Sequence, residues 1–153
     1  MSGGLRPLTA FDLPILEHLH ADSFPEDPWS AGSFGKLLAL PGVHGLLTQA
    51  SQRPLGFLLW RRAADEAEVL TLCVQPAARR RGLAASLLRA GMASLKRCGT
   101  QRLFLEVAED NLAARELYKS LRFCEVGRRS GYYRRSRGPK IDALLLEISL
   151  KDD

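Results

Sequence analysis

The sequence is poor in cysteine and histidine, with three of each among 153 residues. Cys73, Cys98 and Cys124 lie far apart and form no Cys-x-x-Cys pair, so neither a disulfide framework nor a zinc site is predicted. We interpret all three as free thiols. The three histidines lack the spacing and the companion carboxylates of a helical metal site, and no metal is therefore expected.

Long apolar runs are also missing. No segment approaches the roughly 18 consecutive apolar residues of a membrane-spanning helix, and residues 1–7 lack the apolar core of a secretory signal. A content of 46% hydrophobic and 25% charged residues is typical of a globular protein, and the length favours a single domain, residues 1–153. We expect a cytoplasmic protein with no membrane partner.

Two common nucleotide motifs are absent as well. The chain has no Gly-x-x-x-x-Gly-Lys-Ser/Thr loop, and Gly82 is the only glycine between Gly56 and Gly91, so a dinucleotide fingerprint does not fit. What the chain has instead is arginine, and its formal net charge is +5. Arginines cluster at positions 61–62, 79–81, 128–129 and 134–137. Such clusters favour anionic partners, coenzyme A phosphates or RNA among them, and a solvated surface accounts equally for the outlying ones.

The most informative segment covers residues 69–88. An apolar strand is followed by a short turn, by arginines at 79–81, and by Gly82 and Ala84 at the start of an amphipathic helix. The first N–H groups of a helix lack partners within it and carry partial positive charge, so they bind anions. Small residues let phosphates approach the backbone, and arginines add forked donors. The segment predicts a pyrophosphate site; the alternative is a solvated basic helix start in which Gly82 serves a turn.

Hydrophobic periodicity predicts a mixed order of elements: helix, helix, three strands, helix, strand, helix, two strands. The predicted helices lie at 11–20 with Asp12 as N-cap, at 33–40 after an N-cap at Ser30, from Leu83 to a stop at Cys98 and Gly99, and after an N-cap at Asn111. The predicted strands lie at 43–48, 55–60, 66–74, 102–107, 123–129 and 142–150. This order indicates an α/β protein with one central sheet flanked by helices.

Glu106 interrupts the apolar run 103–107 of a predicted interior strand, and a carboxylate in such a place needs a reason. A partly buried carboxylate can accept a proton, directly or through water, from an ammonium group that must be neutral before it attacks a thioester. The alternative is a structural glutamate that pairs with Arg102 or Arg115, or one that faces solvent.

Tyr118 lies on the predicted helix that follows the Glu106 strand. A phenol in this place can protonate a departing thiolate. Because a phenol pKa of about 10 exceeds a thiol pKa of about 8.5, the role requires close contact with the sulfur. The alternative is a tyrosine that packs against the sheet with its hydroxyl in water.

The run Arg79-x-x-Gly82-x-Ala84 after a strand resembles the Gln/Arg-x-x-Gly-x-Gly/Ala signature of GNAT-family N-acetyltransferases, which bind the pyrophosphate of acetyl-coenzyme A in this way. The resemblance extends to the RimI-type branch, the ribosomal-protein-alanine N-acetyltransferases. It rests on Phe24-Pro25 with Trp29-Ser30, residues 72–85, Leu105-Glu106-Val107, Asn111 with Ala114, Leu117-Tyr118, Arg128-Arg129 with Tyr132-Tyr133, and Asp142-Ala143.

The resemblance implies the GNAT fold, an α/β (α+β) architecture with a mixed, mostly antiparallel central sheet whose splayed strands form the acetyl-coenzyme A cleft. It implies that Glu106 is the general base and Tyr118 the general acid. The residues implied to hold the co-substrate are Leu72, Cys73 and Val74 at its pantetheine arm and thioester, Arg79, Arg80, Arg81, Gly82, Leu83, Ala84 and Ala85 at its pyrophosphate, and Asn111. Phe24, Trp29 and Tyr132 would border the slot for the acceptor.

The activity implied is direct acetyl transfer in a ternary complex from acetyl-coenzyme A to a protein N-terminus, with a ribosomal protein that begins with alanine as the expected acceptor. A covalent intermediate on Cys73 is not expected, because no histidine is an evident partner to activate the thiol. Two signature positions depart from the usual pattern, Ala84 for the second glycine and Arg81 for glutamine. The insertion Glu26-Asp27-Pro28 lengthens a loop expected to touch the acceptor, so acceptor preference can differ.

Three other functions remain open. A GNAT enzyme could acetylate a small amine or a lysine side chain, for which Glu26 and Asp27 are the evident acidic residues of the slot. An RNA- or ribosome-binding module would use the arginine clusters, but it lacks interleaved aromatics, leaves Glu106 and Gly82 unexplained, and no sequence-specific nucleic acid binding is expected. A coenzyme A sensor without catalysis has no need of both Glu106 and Tyr118.

Overall fold

Seven strands form one sheet in the computed structural model, which describes residues 4–134 and 138–151. The helices are α1 (Leu13–Ser23), α2 (Ala31–Leu38), α3 (Leu83–Arg97) and α4 (Leu112–Ser120), and the strands are β1 (Gly4–Pro7), β2 (Val43–Ala50), β3 (Arg53–Ala63), β4 (Glu66–Val74), β5 (Arg102–Ala108), β6 (Cys124–Tyr133) and β7 (Ile141–Ser149). Across the sheet the strands follow the order β1-β2-β3-β4-β5-β7-β6. Neighbouring strands are antiparallel except for β4 and β5, which are parallel.

The predicted mixed, mostly antiparallel sheet is therefore confirmed, and the predicted strand at Glu66–Val74 agrees at both ends. Three elements were not predicted: strand β1, and short 3-10 helices at Ala10–Asp12 and Pro76–Ala78. The hairpin between β2 and β3 is also tighter than predicted, because the polar residues on either side of its turn still pair across the two strands.

The helix caps were predicted with mixed success. The Ser30 hydroxyl accepts a hydrogen bond from the Ser33 N–H at 3.1 Å, so the cap of α2 is confirmed, although the helix begins and ends two residues earlier than predicted. Asp12 is not a side-chain cap of α1. Its carboxylate instead accepts hydrogen bonds from the Arg6 guanidinium at 2.7 Å and from the Thr9 N–H at 2.9 Å, and the bond from Arg6 lowers the pKa of Asp12 most. Asp12 thus ties β1 to the start of α1.

The two faces of the sheet are covered differently. On one face, α3 and α4 pack along the sheet, and Leu103, Leu105 and Val107 of β5 belong to this core. On the other face, α1 and α2 pack against β2, β3 and β4, with Phe34 and Phe57 at the centre of that core. Among the described residues, no strand beyond β4 contributes to the second core. We call this half, β2 to β4, the covered half.

The remaining part of that second face carries the alternate residues of β5, β7 and β6. Glu106 on β5 lies opposite Leu145 on β7, which lies opposite Gly127 on β6. Two residues along each strand, and so on the same face, Ala108 lies opposite Ala143, which lies opposite Arg129. We call the surface formed by these six residues the open face. Its glutamate and Leu145 are only half-buried, whereas the neighbouring residues on the other face are fully buried.

The parallel strands β4 and β5 separate soon after they meet. They pair at three positions, the last of which joins Glu68 to Phe104. Leu70 then has no register partner on β3, which marks a β-bulge, and bulges bend a strand and raise its twist. Beyond the bulge, the β5 side of β4 has no strand next to it among the described residues. The predicted splay of the strands is confirmed, and the gap lies just before the segment that leads into α3.

Among the described residues, no helix is both long enough and apolar enough to cross a membrane.

Candidate active site

α3 begins at Leu83, after a connection of eight residues that follows the end of β4 at Val74. Gly82 occupies its N-cap position with φ +75°, in the left-handed region that glycine adopts at little cost. A Cβ at Gly82 would meet no atom within 4 Å, so backbone conformation rather than crowding favours glycine here. The first bond of the helix joins the Ser86 N–H to the Gly82 carbonyl, which leaves the N–H groups of Leu83, Ala84 and Ala85 without helical partners.

The three arginines before Gly82 differ in what they contact. Arg79 donates from Nε to the Val74 carbonyl at 3.1 Å and from Nη2 to the Ser23 hydroxyl at 3.4 Å, so it joins the end of β4 to the end of α1. Arg81 reaches only the Ala77 carbonyl, at 3.5 Å. Arg80 and Arg81 are exposed next to the free amides of α3. This helix start suits an anion; its predicted pyrophosphate remains a prediction.

The end of β4 forms one wall of the gap. Leu72, Cys73 and Val74 pair with β3 on one side, where Gly56 is required because a Cβ would lie 2.5 Å from the Cys73 carbonyl oxygen. On the gap side, no strand within residues 4–134 and 138–151 pairs with them. The Cys73 thiol is buried beside the Thr71 hydroxyl, 3.6 Å away, and burial raises the pKa of Cys73 to about 11. A thiol with this pKa is protonated at neutral pH and is a poor nucleophile.

Glu106 stands on the open face with a side chain 23% exposed. Its Oε1 lies 3.1 Å from Nη2 of Arg129. The two partners considered from the sequence are wrong: Arg102 contacts Glu66 and Glu147 instead, at 3.7 and 3.6 Å, and Arg115 donates to a main-chain carbonyl of the loop before α4. Sequence reasoning missed Arg129 as a partner because β7 lies between the two strands.

Tyr118 lies on α4 and belongs to the core that α3 and α4 form with the sheet. Its side chain is buried, with its ring edge-to-face against Phe123 at 5.6 Å, so the alternative of a hydroxyl in open water is wrong. Burial, together with smaller contributions from the nearby Tyr133 and Cys73, raises the pKa of Tyr118 to about 12. The phenol of Tyr118 is therefore protonated at neutral pH, and it is buried close to the end of β4.

The loop between α1 and α2 is organised around His20. The imidazole is 3% exposed and lies 4.7 Å from the rings of both Phe24 and Trp29. Its Nδ1 accepts a hydrogen bond from the Trp29 N–H at 3.0 Å, which requires an unprotonated Nδ1. Burial lowers the pKa of His20, and Asp27 opposes that shift. Nothing in the sequence distinguished this histidine from the other two, because its role depends on the aromatic residues that the loop folds back onto it.

Phe24 and Tyr132, two residues predicted to border the acceptor slot, are exposed, at 42% and 53%. The guanidinium of Arg129 lies 5.1 Å from the centre of the Tyr132 ring. Trp29 is half-buried against His20. The structure thus brings Glu106 and Tyr132 together through Arg129, and the role of these rings at the acceptor slot stays a prediction.

Two further predictions concern Asn111 and the last arginine cluster. The Asn111 carboxamide oxygen accepts a hydrogen bond from the Ala114 N–H at 3.2 Å and caps α4 as predicted, while its contact with the co-substrate stays a prediction. In the cluster at 134–137, residues 135–137 lie outside the described part of the chain. Within the described part, no group of three or more histidine, cysteine or acidic residues is arranged to hold a metal ion.

Known proteins resemble this chain in sequence and in fold. The sequence model of the acetyltransferase (GNAT) family matches residues 13–123. N-alpha-acetyltransferase RimI of Mycobacterium tuberculosis is 37% identical over 132 residues, 83% of this chain and 82% of that protein. The [ribosomal protein bS18]-alanine N-acetyltransferase of Escherichia coli is 32% identical over 145 residues, 94% of this chain and 95% of that protein. A crystal structure of the ribosomal-protein-S18-alanine N-acetyltransferase from Escherichia coli superposes with a TM-score of 0.91 at 26% identity, over 99% of this chain and 96% of that one. The resemblance predicted from the sequence motifs is confirmed.

Proposed function

Because the chain belongs to the GNAT family of acetyltransferases, we propose that it transfers the acetyl group of acetyl-coenzyme A to the N-terminal α-amino group of a protein. The observation that carries this proposal is the gap between β4 and β5, which has the free amides of α3 at one end and is flanked by Glu106 and Tyr118. We also propose that residues 1–153 act as one domain, since the seven described strands share one sheet.

The residues around the gap fit acetyl-coenzyme A in two ways. The unpaired N–H groups of Leu83, Ala84 and Ala85, with Arg80 and Arg81 beside them, suit a pyrophosphate. The unpaired edge of β4 suits the amide groups of a pantetheine arm, which can hydrogen-bond to a strand edge as a neighbouring strand does. Acetyl-coenzyme A supplies an activated acetyl thioester.

Glu106 acts as the general base in this proposal. An α-ammonium group has a pKa of about 8, so most acceptor molecules arrive protonated at neutral pH and must lose a proton before attack. Glu106 accepts that proton, directly or through one water, because its carboxylate is accessible from the open face. A main-chain N–H near Cys73 or Val74 donates to the oxygen of the carbonyl under attack, where negative charge develops.

Tyr118 donates its phenolic proton to the leaving sulfur. A pKa of about 12 keeps the phenol protonated but makes it a weak acid toward an ordinary thiolate, whose pKa is about 8.5. The buried Cys73 thiol shows how this region changes a thiol, since burial raises its pKa to about 11. A leaving thiolate that is desolvated in the same region becomes more basic. The pKa of the thiol that it forms then lies closer to the pKa of the Tyr118 phenol.

The acceptor is the N-terminus of a ribosomal protein that begins with alanine. This part of the proposal is supported by the relatives, which include a [ribosomal protein bS18]-alanine N-acetyltransferase. The exposed rings of Phe24 and Tyr132 and the uncovered surface next to Glu106 leave room for an extended N-terminus. Because ribosomal proteins are made and assembled in the cytoplasm, the proposed reaction takes place there.

A lysine side chain or a small amine is the second candidate acceptor. Glu26 and Asp27, which lie in the loop between α1 and α2, are the observation that favours it, since acidic groups attract a cation. The aromatic rings that border the slot favour a peptide instead. The same enzyme chemistry at Glu106 and Tyr118 serves both acceptors.

The test uses purified protein, acetyl-coenzyme A and three synthetic peptides, with release of free thiol followed by absorbance. One peptide begins with alanine, the second has the same sequence with a blocked α-amine and one internal lysine, and the third begins with proline. We expect turnover only with the first. Turnover with the second peptide would show a lysine acetyltransferase, and binding of acetyl-coenzyme A without turnover of any peptide would overturn the proposed acceptor.

A further inference from the structure

Arg129 holds the carboxylate that the proposed mechanism assigns to the acceptor amine. Its Nη2 lies 3.1 Å from Oε1 of Glu106, a distance at which a cation and a carboxylate form a charge-assisted hydrogen bond. An acceptor N-terminus is also a cation before it loses its proton, and it must approach the same carboxylate. The guanidinium and the incoming ammonium therefore need the same partner.

The open face is shaped so that Arg129 can reach Glu106. Arg129 lies two strands across from Glu106 and two residues along, opposite Ala143, which in turn lies opposite Ala108. The position on β6 that is level with Glu106 is Gly127, which has no side chain. A Cβ at Gly127 would come within 3.5 Å of Leu145, and the two alanines have short side chains, so none of these three positions places a large side chain between Arg129 and Glu106.

The neighbouring Arg128 shows that this contact is not a general property of β6. Arg128 contacts Glu109 at 3.0 Å and Asp142 at 2.9 Å, two groups near the end of β5 and the start of β7. This network joins three segments, as expected of a structural arginine. Arg129 is 61% exposed and contacts the one carboxylate of the candidate site, so it can move without loss of the fold.

Arg129 also contacts the aromatic ring of Tyr132. The guanidinium lies 5.1 Å from the centre of the Tyr132 ring, within the range of a cation–π contact. An arginine that leaves Glu106 can keep this contact. Its guanidinium therefore does not have to move away from the protein surface when the ion pair breaks. Because the ring contact is present in both the paired and the released state, the release of Arg129 breaks only its ion pair with Glu106.

We propose that Arg129 is a positioning residue that occupies Glu106 until the α-ammonium group of the acceptor displaces it. This inference rests on the proposed function, because it names the amine of a protein N-terminus as the displacing group. Arg129 does not take part in proton transfer. Because Arg129 competes for Glu106, a higher acceptor concentration is needed before the ammonium group binds to this carboxylate. The same contact keeps other weakly bound cations away from Glu106.

The test compares the dissociation constant of an alanine-starting peptide with that of the same peptide in which hydrogen replaces the α-amine. Both are measured by calorimetry on the full chain, for the wild type, Arg129→Met and Arg129→Lys. Arg89→Met is the control, since it removes one charge from an exposed position on α3. The KM and kcat for the first peptide are measured in parallel.

In Arg129→Met we expect the amine peptide to bind about two- to fivefold more tightly, the range of an exposed ion pair, with a matching fall in KM. Binding of the peptide without the amine should not change. Arg129→Lys, which keeps a cation, and Arg89→Met should both behave like the wild type. The gain should shrink at high salt, because salt screens an exposed pair.

Equal or weaker binding of the amine peptide by Arg129→Met would overturn the inference and would indicate that Arg129 binds the acceptor instead. An equal gain for both peptides would overturn it too, because the competition would not involve the amine. The wild type separates these results from a failure of the proposed function. If the wild type turns over the alanine-starting peptide and Arg129→Met shows no gain in affinity, only the inference about Arg129 is wrong. If the wild type turns over no peptide, the proposed acceptor itself is wrong.

Discussion

The covered half of the sheet and the open face are built from the same kind of strand but differ in what lies above them. In the covered half, α1 and α2 bury one face and α3 the other, so residues of both faces of β3, such as Leu58 and Leu59, are fully buried. On β5 the alternation returns, with Leu105 buried and Glu106 half-exposed. A strand covered on both sides holds apolar groups and a few buried hydroxyls such as that of Thr71, whereas a strand covered on one side can present a carboxylate. The covered half supplies stability, and the open face supplies chemistry.

The largest expected effect on kcat comes from a comparison of two equally exposed glutamates that lie on the same face of the sheet. Glu106 and Glu147 both have side chains 23% exposed and belong to neighbouring strands, and Glu147 contacts Arg102. We expect Glu106→Gln to lower kcat by about 10²–10⁴-fold, the range of a lost general base. Glu147→Gln should leave kcat close to the wild type.

Initial rates of thiol release check this prediction, together with calorimetric binding of acetyl-coenzyme A, which both variants should retain. A similar loss of kcat in the two variants would mean that negative charge on this side of the sheet, rather than one base, supports turnover.

The second prediction compares leucine truncations in the two regions. Leu59 is fully buried in the covered half, so Leu59→Ala should cost about 2–5 kcal/mol of unfolding free energy through lost contacts and a residual cavity. Leu145 is half-buried on the open face, and Leu145→Ala should cost about 1 kcal/mol because water can fill the space. Urea denaturation measures both. Equal costs would show that something covers the open face in solution.

Tyr118 stands between the two regions and gives the third prediction. Tyr118→Phe should lower kcat by about a hundredfold, the low end for a general acid, because a thiolate can leave without a proton more readily than an alkoxide can. The pKa of Tyr118 is raised to about 12, so the phenol stays protonated throughout pH 7–10. The ratio of wild-type to variant kcat should therefore be constant over that range. A ratio that falls to one by pH 10 would assign the proton to another group.

The smallest expected effect concerns the loop between α1 and α2, which closes the covered half next to the open face. Burial lowers the pKa of His20 below its usual value of about 6.5, so the unfolded chain takes up the proton first as the pH falls. The stabilisation is present above about pH 6.5 and is lost as the pH falls through the pKa of the folded state. Protonation of Nδ1 also removes the acceptor of the Trp29 N–H.

Trp29 fluorescence reports on this loop in a Trp60→Phe background. We expect an emission shift between pH 7 and 5 that is absent from His20→Phe, a variant that fills the same space without titrating. The same shift in both variants would place the titrating group elsewhere.

Much of the local structure could be predicted because it depends on neighbouring residues. The length of β4 follows from the pattern of its own side chains. The N-caps Ser30 and Asn111 accept hydrogen bonds from main-chain amides only three residues away. Gly82 could be predicted for the same reason, since its left-handed conformation is a property of one residue. Asp12 occupies the predicted N-cap position, but its side chain does not cap the helix, because its strongest partner, Arg6, lies on a strand too short to be recognised from its pattern.

The partners of the candidate base could not be predicted in this way. From the sequence, Arg102 and Arg115 were the natural partners of Glu106, because they are close to it along the chain. The structure selects Arg129, which is 23 positions away, because β7 inserts between β5 and β6 and sets their register. A contact across two strands depends on the order of the strands, and no local pattern encodes that order.

By itself the sequence determined the type and approximate extent of most helices and strands, the start of α3 with its free amides, and the family of the protein. These depend on periodicity, on caps and on the conformation of single residues, all of which act over a few positions. Only the tertiary structure decided that β4 and β5 part after three pairs, that Tyr118 is buried near Cys73, and that Arg129 pairs with Glu106. The physical reason is that splay, burial and ion pairing arise between segments distant in the chain, and their energies exist only once the sheet has assembled.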